Sequence, residues 1–203
     1  MTATRRGAAA GGNTRSRWCR AGLALLRDHG PRAVTVERLC AAMRRTKGAF
    51  YHHFRDVRAF HAAVLDEWAE LHTAAPIAAA SSARTAEERS AQLGAAVVGL
   101  DHALDRAIRG WALYHGRARE IVGRVDALRI GYLAAIHRER GWRDAPRLAE
   151  LEYAVFLGAQ ELGLVDDRLR GASLGRALRA ALEWLGVAGR AASHPPRARR
   201  VPR

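Results

Sequence analysis

Apolar residues recur at three- and four-residue intervals along most of the chain, and no stretch alternates β-branched with polar residues as a strand would. The pattern therefore predicts an all-α protein. Trp18, Ala21, Gly22, Leu25 and Leu26 share one face of a helix that should start near Thr14 and stop at Gly30 and Pro31. Thr35 can cap a short second helix in which Val36, Leu39, Cys40 and Met43 point inward. Arg44, Arg45 and Thr46 break the pattern, and Thr46 is placed to cap a third helix over Lys47–Phe54. Two short helices joined by a tight turn form the layout of a helix-turn-helix. A longer helix should run from near Asp56 to about Thr73, carrying Phe60, Val64, Leu65, Trp68 and Leu71, until Pro76 interrupts it.

Further helices are expected near 86–100, 102–115, 117–140, 145–165 and 172–187, divided at Gly116, Gly141 and Gly171. Ile121, Val125, Leu128, Tyr132 and Ile136 form one inward stripe. Leu148, Leu151, Val155, Gly158 and Leu162 form a second, and Leu174, Leu178, Leu182 and Leu185 a third. Small residues such as Ala154, Gly158 and Ala159 allow close helix approach. The last two long helices, about 145–187, are thus expected to form a hairpin that pairs with its own copy in a homodimer.

Charge divides the chain along its length. Residues 1–60 carry 13 Lys and Arg against 3 Asp and Glu, residues 61–189 carry 16 against 17, and residues 190–203 carry 5 against none. The net +14 is therefore concentrated at the two ends, where it would seek a polyanion, while the middle is electrostatically ordinary. The expected organisation is a disordered basic arm (1–13), a helix-turn-helix DNA-binding domain (14–56), a larger helical domain with a dimerising hairpin (57–188) and a disordered basic tail (189–203). The arms read either as solvated or as touching DNA. No run of about 18 apolar residues occurs, and the opening MTATRRGAAAGGNTRSR lacks the apolar stretch of a signal peptide. A cytoplasmic location without a membrane partner is expected. Neither arm has the aromatic or leucine face of an interfacial helix. Cys19 and Cys40 read as small core hydrophobes.

Affinity for DNA comes mainly from phosphate contacts by Arg, Lys, hydroxyl and backbone N–H donors. The segment 44–55 supplies Arg44, Arg45, Thr46, Lys47, Tyr51, His52 and Arg55. Base reading falls to the first turn of the third helix, with Arg45, Thr46, Lys47 and Ala49 as candidates, Ala49 being limited to a thymine methyl. Phe50 and Phe54, four apart, should pack against Leu26 and Leu39. His52, His53 and His61 do not make a metal site, because adjacent helical residues point about 100° apart and no further ligand stands at the right spacing. There is no glycine-rich phosphate loop, nucleophile elbow or paired ligand set, so neither catalytic residues nor a cofactor are expected and the chain is not read as an enzyme.

The segment VTVERLCAAMRRTKGAFYHHFRD, residues 34–56, resembles the DNA-binding segment of TetR-type transcriptional regulators through Thr35, Val36, Leu39, Thr46, Lys47, Gly48, Phe50, Tyr51, His53 and Phe54. The likeness extends upstream through Trp18, Ala21, Leu25, Leu26 and Gly30, covering about residues 15–65 without a gap. It adds Thr35 and Gly48 to the DNA-facing set. Arg44 and Arg45 stand where the family usually has Gly and a buried aliphatic, and Ala49 replaces a Thr that commonly touches DNA. Residues 110–142 look, more weakly, like the regulatory half of a subset of these proteins.

The resemblance alone makes 57–188 a regulatory domain, and it implies a ligand-responsive repressor on a pseudo-palindromic DNA operator, dimerising through its last two helices, with a small-molecule pocket inside the 61–165 helices. Trp68, Trp111, Tyr114, Tyr132, Tyr153 and Gln160, apolar bodies with polar tips, are candidates for lining such a pocket. Their ordinary reading as core or dimer contacts stands beside that one. The alternative function is a nonspecific architectural DNA-binding protein, which would have little use for so large a neutral body.

Overall fold

The computed structural model describes the backbone of residues 5–191, with side chains described for residues 14–167 and 170–185. The helices are α1 (Arg5–His29), α2 (Val36–Met43), α3 (Lys47–His53), α4 (Val57–Ala69), α5 (Ala75–Ser81), α6 (Ala86–Val98), α7 (His102–Ala112), α8 (Gly116–Glu139), α9 (Ala145–Glu161) and α10 (Arg168–Ala191). No strand occurs among the described residues. No described helix is long and apolar enough to cross a membrane.

The chain forms two compact units. One comprises the chain up to Pro76 together with Leu100–Ala127, and the other comprises Ile77–Gly99 and the chain from Leu128 onward.

In the first unit, α1 packs on α2, α4 and α7 around a core that includes Trp18, Leu26, Leu39, Phe50, Phe54, Phe60, Leu65 and Trp68, all essentially without solvent exposure. Phe60 meets Phe50 at 5.2 Å and Phe54 at 4.9 Å between ring centroids, both edge-to-face, and Trp18 meets Phe50 edge-on at 5.6 Å. Such pairs add about 0.5–1.5 kcal/mol each beyond the burial of their area. A Cβ at Gly22 would lie 2.8 Å from Phe60 Cζ and 2.9 Å from Val64 Cγ2, so glycine is what lets α1 and α4 come this close. Gly30, at φ 75, donates its N–H to Leu26 O at 2.9 Å and ends α1 in a conformation open to glycine.

In the second unit, α10 packs on α6 and α9. Its buried residues include Ile136, Trp142, Ala149, Tyr153 and Leu182. Thr85 and Glu88 form a reciprocal capping box at the start of α6. Arg140 lies over the Trp142 ring at 4.5 Å and pairs with both Glu87 and Glu183 at 3.2 Å, joining the end of α8 to α6 and α10. Arg89 pairs with Glu139, and His137 with Glu152 at 2.8 Å.

Several elements depart from the pattern read on the sequence. α1 begins at Arg5 rather than near Thr14, since Ala8, Ala9 and Ala10 are strong helix formers that outweigh Gly11 and Gly12. The arm over 1–4 and the tail from 192 lie outside the described residues. Pro76 does not end the helical path. A π turn over Glu70–Ala74 precedes it, and Pro76 sits in the first turn of α5, where its missing N–H and its ring are tolerated. Gly171 lies inside α10 instead of dividing it from α9, which ends at Glu161. Leu128 is half exposed, so the stripe on α8 does not hold along the whole helix.

Candidate nucleic-acid interface

Local rules fix the helix pair α2–α3. Thr35 accepts a hydrogen bond from Arg38 N at 3.3 Å, and Thr46 accepts one from Ala49 N at 3.2 Å, so each hydroxyl oxygen satisfies an N–H left over at a helix start. Both hydroxyls retain a proton to donate. Between the helices Arg44 takes the left-handed conformation, φ 51 and ψ 49, and Arg45 N reaches back to Cys40 O at 2.9 Å. This closes α2 and turns the chain sharply into α3. Phe50 and Phe54 anchor α3 from below, both fully buried.

What remains outside is cationic and hydroxylic. Arg44, Arg45, Thr46, Lys47, Gly48, Tyr51, His52 and Arg55 are all exposed, and Thr35 is half-buried at its cap. Tyr51 keeps 51% of its surface while its ring stands edge-on to Phe50 at 5.2 Å. A Cβ at Gly48 would meet nothing nearer than Thr46 Oγ1 at 3.7 Å, which leaves open surface over the first turn of α3. Ala49 is half-buried against the core, so its methyl offers a partner less than the sequence reading expected.

Lys47 Nζ lies 2.6 Å from Glu37 Oε1 on α2. That hydrogen bond raises the lysine's pKa and lowers the glutamate's. Arg55 pairs with Asp56 at 3.1 Å, and Asp56 in turn caps α4 through Ala59 N at 2.6 Å.

Residues 19–64 match the family described as bacterial regulatory proteins, tetR family. The head of this chain is a TetR-family domain. That family is one of regulatory proteins, in keeping with the reading that the chain is no enzyme.

Beyond the TetR head, solved structures share the fold over most of the length. A putative TetR-family transcriptional regulator from a Rhodococcus species matches with TM-score 0.69 and 18% identity over 84% of this chain and 97% of its own. A putative transcriptional regulator from Pseudomonas aeruginosa PAO1 matches with TM-score 0.67 and 18% identity over 84% and 90%. A TetR transcription regulator from Haloarcula marismortui matches with TM-score 0.66 and 18% identity over 87% and 98%. No curated protein matches by sequence. The all-α architecture of a TetR regulator, with an N-terminal helix-turn-helix and a larger helical remainder, is therefore the fold of this chain.

The pocket candidates divide between the units. Trp68 and Trp111 are buried in the first, and Tyr153 and Gln160 are buried in the second. Tyr132, half-buried in the second unit, accepts a hydrogen bond from Ser81 Oγ at 3.1 Å, and Tyr153 accepts one from Arg129 at 3.2 Å. Tyr114 is 90% exposed and lines no enclosed space in its own chain, because α7 ends at Ala112 and Leu113–His115 turn outward into α8.

Sequence reasoning did not anticipate a buried polar network in the first unit. Trp68 Nε1 donates to Asp105 Oδ1 at 3.0 Å, and the same oxygen lies 3.7 Å from His72 Nδ1 in the π turn. Arg109 stands 3.7 Å from Asp105 and grips Asp126 with two nitrogens, at 3.1 and 2.6 Å. The four-residue spacing of Asp105 and Arg109 was the one signal available in the sequence.

A second such cluster surrounds Trp111. His61 meets the indole edge-on at 5.1 Å, and His115 lies 4.7 Å from it while capping α8 through Ala118 N at 3.2 Å. Burial lowers the pKa of His61, against a contact with Val34 O at 3.5 Å that raises it. Among the described residues no group of three His, Cys, Asp or Glu is placed to hold a metal ion.

Proposed function

We propose that the chain is a transcriptional regulator that binds a pseudo-palindromic DNA operator as a homodimer, represses by occupying it, and releases it when a small molecule binds the helical body. The observation that carries the DNA-binding reading is the outer face of α2 and α3. There Arg44, Arg45, Thr46, Lys47, Tyr51, His52 and Arg55 lie exposed on two capped helices over a rigid aromatic floor, with Thr35, Gly48 and Ala49 beside them. Phosphates would be held by the cations and hydroxyls, and bases read from the first turn of α3 by Arg45, Thr46 and Lys47.

Dimerisation is supported by apolar surface left on the last two helices. Leu162 is 74% exposed and Trp184 71%, with Leu151 and Leu185 partly so. Two heads on a two-fold dimer would enter successive major grooves about 34 Å apart. A domain division at residues 14–56 and 57–188 and a cytoplasmic location accompany this reading. An effector acts by favouring a conformer whose heads no longer fit that spacing, and the candidates to meet it are Trp68 and Trp111 in the first unit or Tyr132, Tyr153 and Gln160 in the second.

Selection of random duplex DNA on the purified protein tests the proposal, followed by titration of the best site against scrambled DNA at two salt concentrations. A palindromic site preferred by on the order of 1,000-fold supports a specific dimeric regulator. No enrichment together with a steep loss of affinity in salt would replace it with the architectural reading.

A further inference from the structure

The side chain that completes the cationic edge beside α3 comes from α1. Arg15 is exposed, and its guanidinium carbon lies 5.1 Å from the centroid of the Phe54 ring. Phe54 is the C-terminal cap of α3 and is buried by Phe50 and Phe60 on its other sides, so the aromatic face under Arg15 does not move. A guanidinium held over an aromatic face leaves its N–H groups, which lie in its own plane, available to an acceptor. Among the described residues Arg15 makes no ion pair, whereas Arg20 on the same helix is held by Glu67 at 3.1 Å. His53 lies close by, and the charge of Arg15 is one of the causes, after burial and His52, that hold its imidazole below its ordinary pKa.

We infer that Arg15 is a phosphate-binding residue of the DNA interface, a contact supplied by α1 at the C-terminal end of the recognition helix. The inference rests on the DNA-binding reading. Its geometry follows from the docking that reading requires. With the first turn of α3 in the major groove, the C-terminal end of the helix lies toward the flanking backbone, where an oriented cation meets a phosphate and not a base. Arg15 should therefore add affinity without adding sequence preference, and its effect should be a matter of counterion release.

The experiment compares wild type, Arg15→Gln and Arg15→Lys on the selected operator and on scrambled duplex across a salt series, with thermal unfolding of each protein alongside. Loss of one phosphate contact in each of the two heads lowers the salt slope by about 1.8 per dimer, so the gap between wild type and Arg15→Gln should close by about 12-fold between roughly 50 and 200 mM salt. The loss should be equal on both DNAs, and Arg15→Lys should restore the slope. An unchanged slope in Arg15→Gln, with or without a lower Tm, would reduce Arg15 to a cap on the Phe54 ring and overturn the inference. Failure of the wild type to bind either DNA would instead remove the regulator reading itself.

Discussion

Arg44 sits in a left-handed conformation, φ 51, at the point where TetR-type sequences usually carry glycine. A non-glycine residue there gives up roughly 1–2 kcal/mol relative to glycine, of which the greater freedom of glycine in the unfolded chain returns about half. This chain keeps an exposed cation at the tip of its helix-turn-helix at that cost. Arg44→Gly should raise stability by about 1 kcal/mol, or roughly 2–4 °C in Tm, while weakening binding to all duplex DNA and flattening its salt dependence. A variant that gained stability and lost no DNA affinity would show that Arg44 contributes only strain. Lys47 presents the converse case. In the DNA-free chain its ammonium is held by Glu37 at 2.6 Å, a pair open to solvent on both sides. A phosphate must compete with that carboxylate for the lysine. Glu37→Gln should accordingly tighten binding several-fold on operator and unrelated DNA alike, measured by fluorescence anisotropy at low salt. Unaltered affinity would mean that Lys47 meets no phosphate.

Helix α4 connects the recognition helix to two buried polar clusters, through Trp68 to Asp105 and through His61 to Trp111. Its placement makes a pH dependence of folding measurable. Burial holds the His61 imidazole below its ordinary pKa of 6.5, with His115, at the cap of α8, adding to the lowering and the Val34 carbonyl the opposing contact. As pH falls through about 6.5 the unfolded chain takes up this proton while the folded chain resists it, so stability declines until the lower folded pKa is passed. His53, also lowered by burial, adds a decline of the same sign. His61→Gln should remove the larger-burial share and give a shallower loss of stability between about pH 7 and 5 in urea melts. An unchanged slope would assign the dependence to other groups. These elements also mark how far the sequence was legible. The starts of α2, α3 and α4 could be read because Thr35, Thr46 and Asp56 are local caps whose partners lie three residues on. The aromatic floor could be read from its spacing. The π turn, the Asp105 network and the Arg15–Phe54 contact could not, because each depends on residues that meet only after α1, α4, α7 and α8 have packed. Tyr114 was misplaced for a related reason: its residue type suits a pocket wall, but it follows the last turn of α7 and faces water.

At the scale of the whole molecule, the charge lies with the head and the unsatisfied apolar surface with the last helices. The first sixty residues carry a net excess of ten cations, enough to attract any duplex, and one head alone would gain little discrimination among sequences. Specificity of the proposed kind needs two heads at a fixed spacing, hence a rigid dimer. The exposed Leu162 and Trp184 leave apolar surface for it at the end of α9 and on α10, and a large exposed aromatic is the type of residue on which interface energy concentrates. Arg140 ties α10 to the end of α8 through Glu183, a contact that does not involve Leu162 or Trp184. Leu162→Glu with Trp184→Glu places like charges across any two-fold contact made by that face, while both sites are open to solvent in the single chain. Far-UV circular dichroism of the double variant should match wild type, and analytical ultracentrifugation should give the mass of one 22.2 kDa chain where wild type gives two. Operator affinity should then drop toward the level of scrambled DNA, since each half-site is bound without help from the other. A double variant that remained dimeric would place the interface on another face and detach the exposed surface of α9 and α10 from assembly.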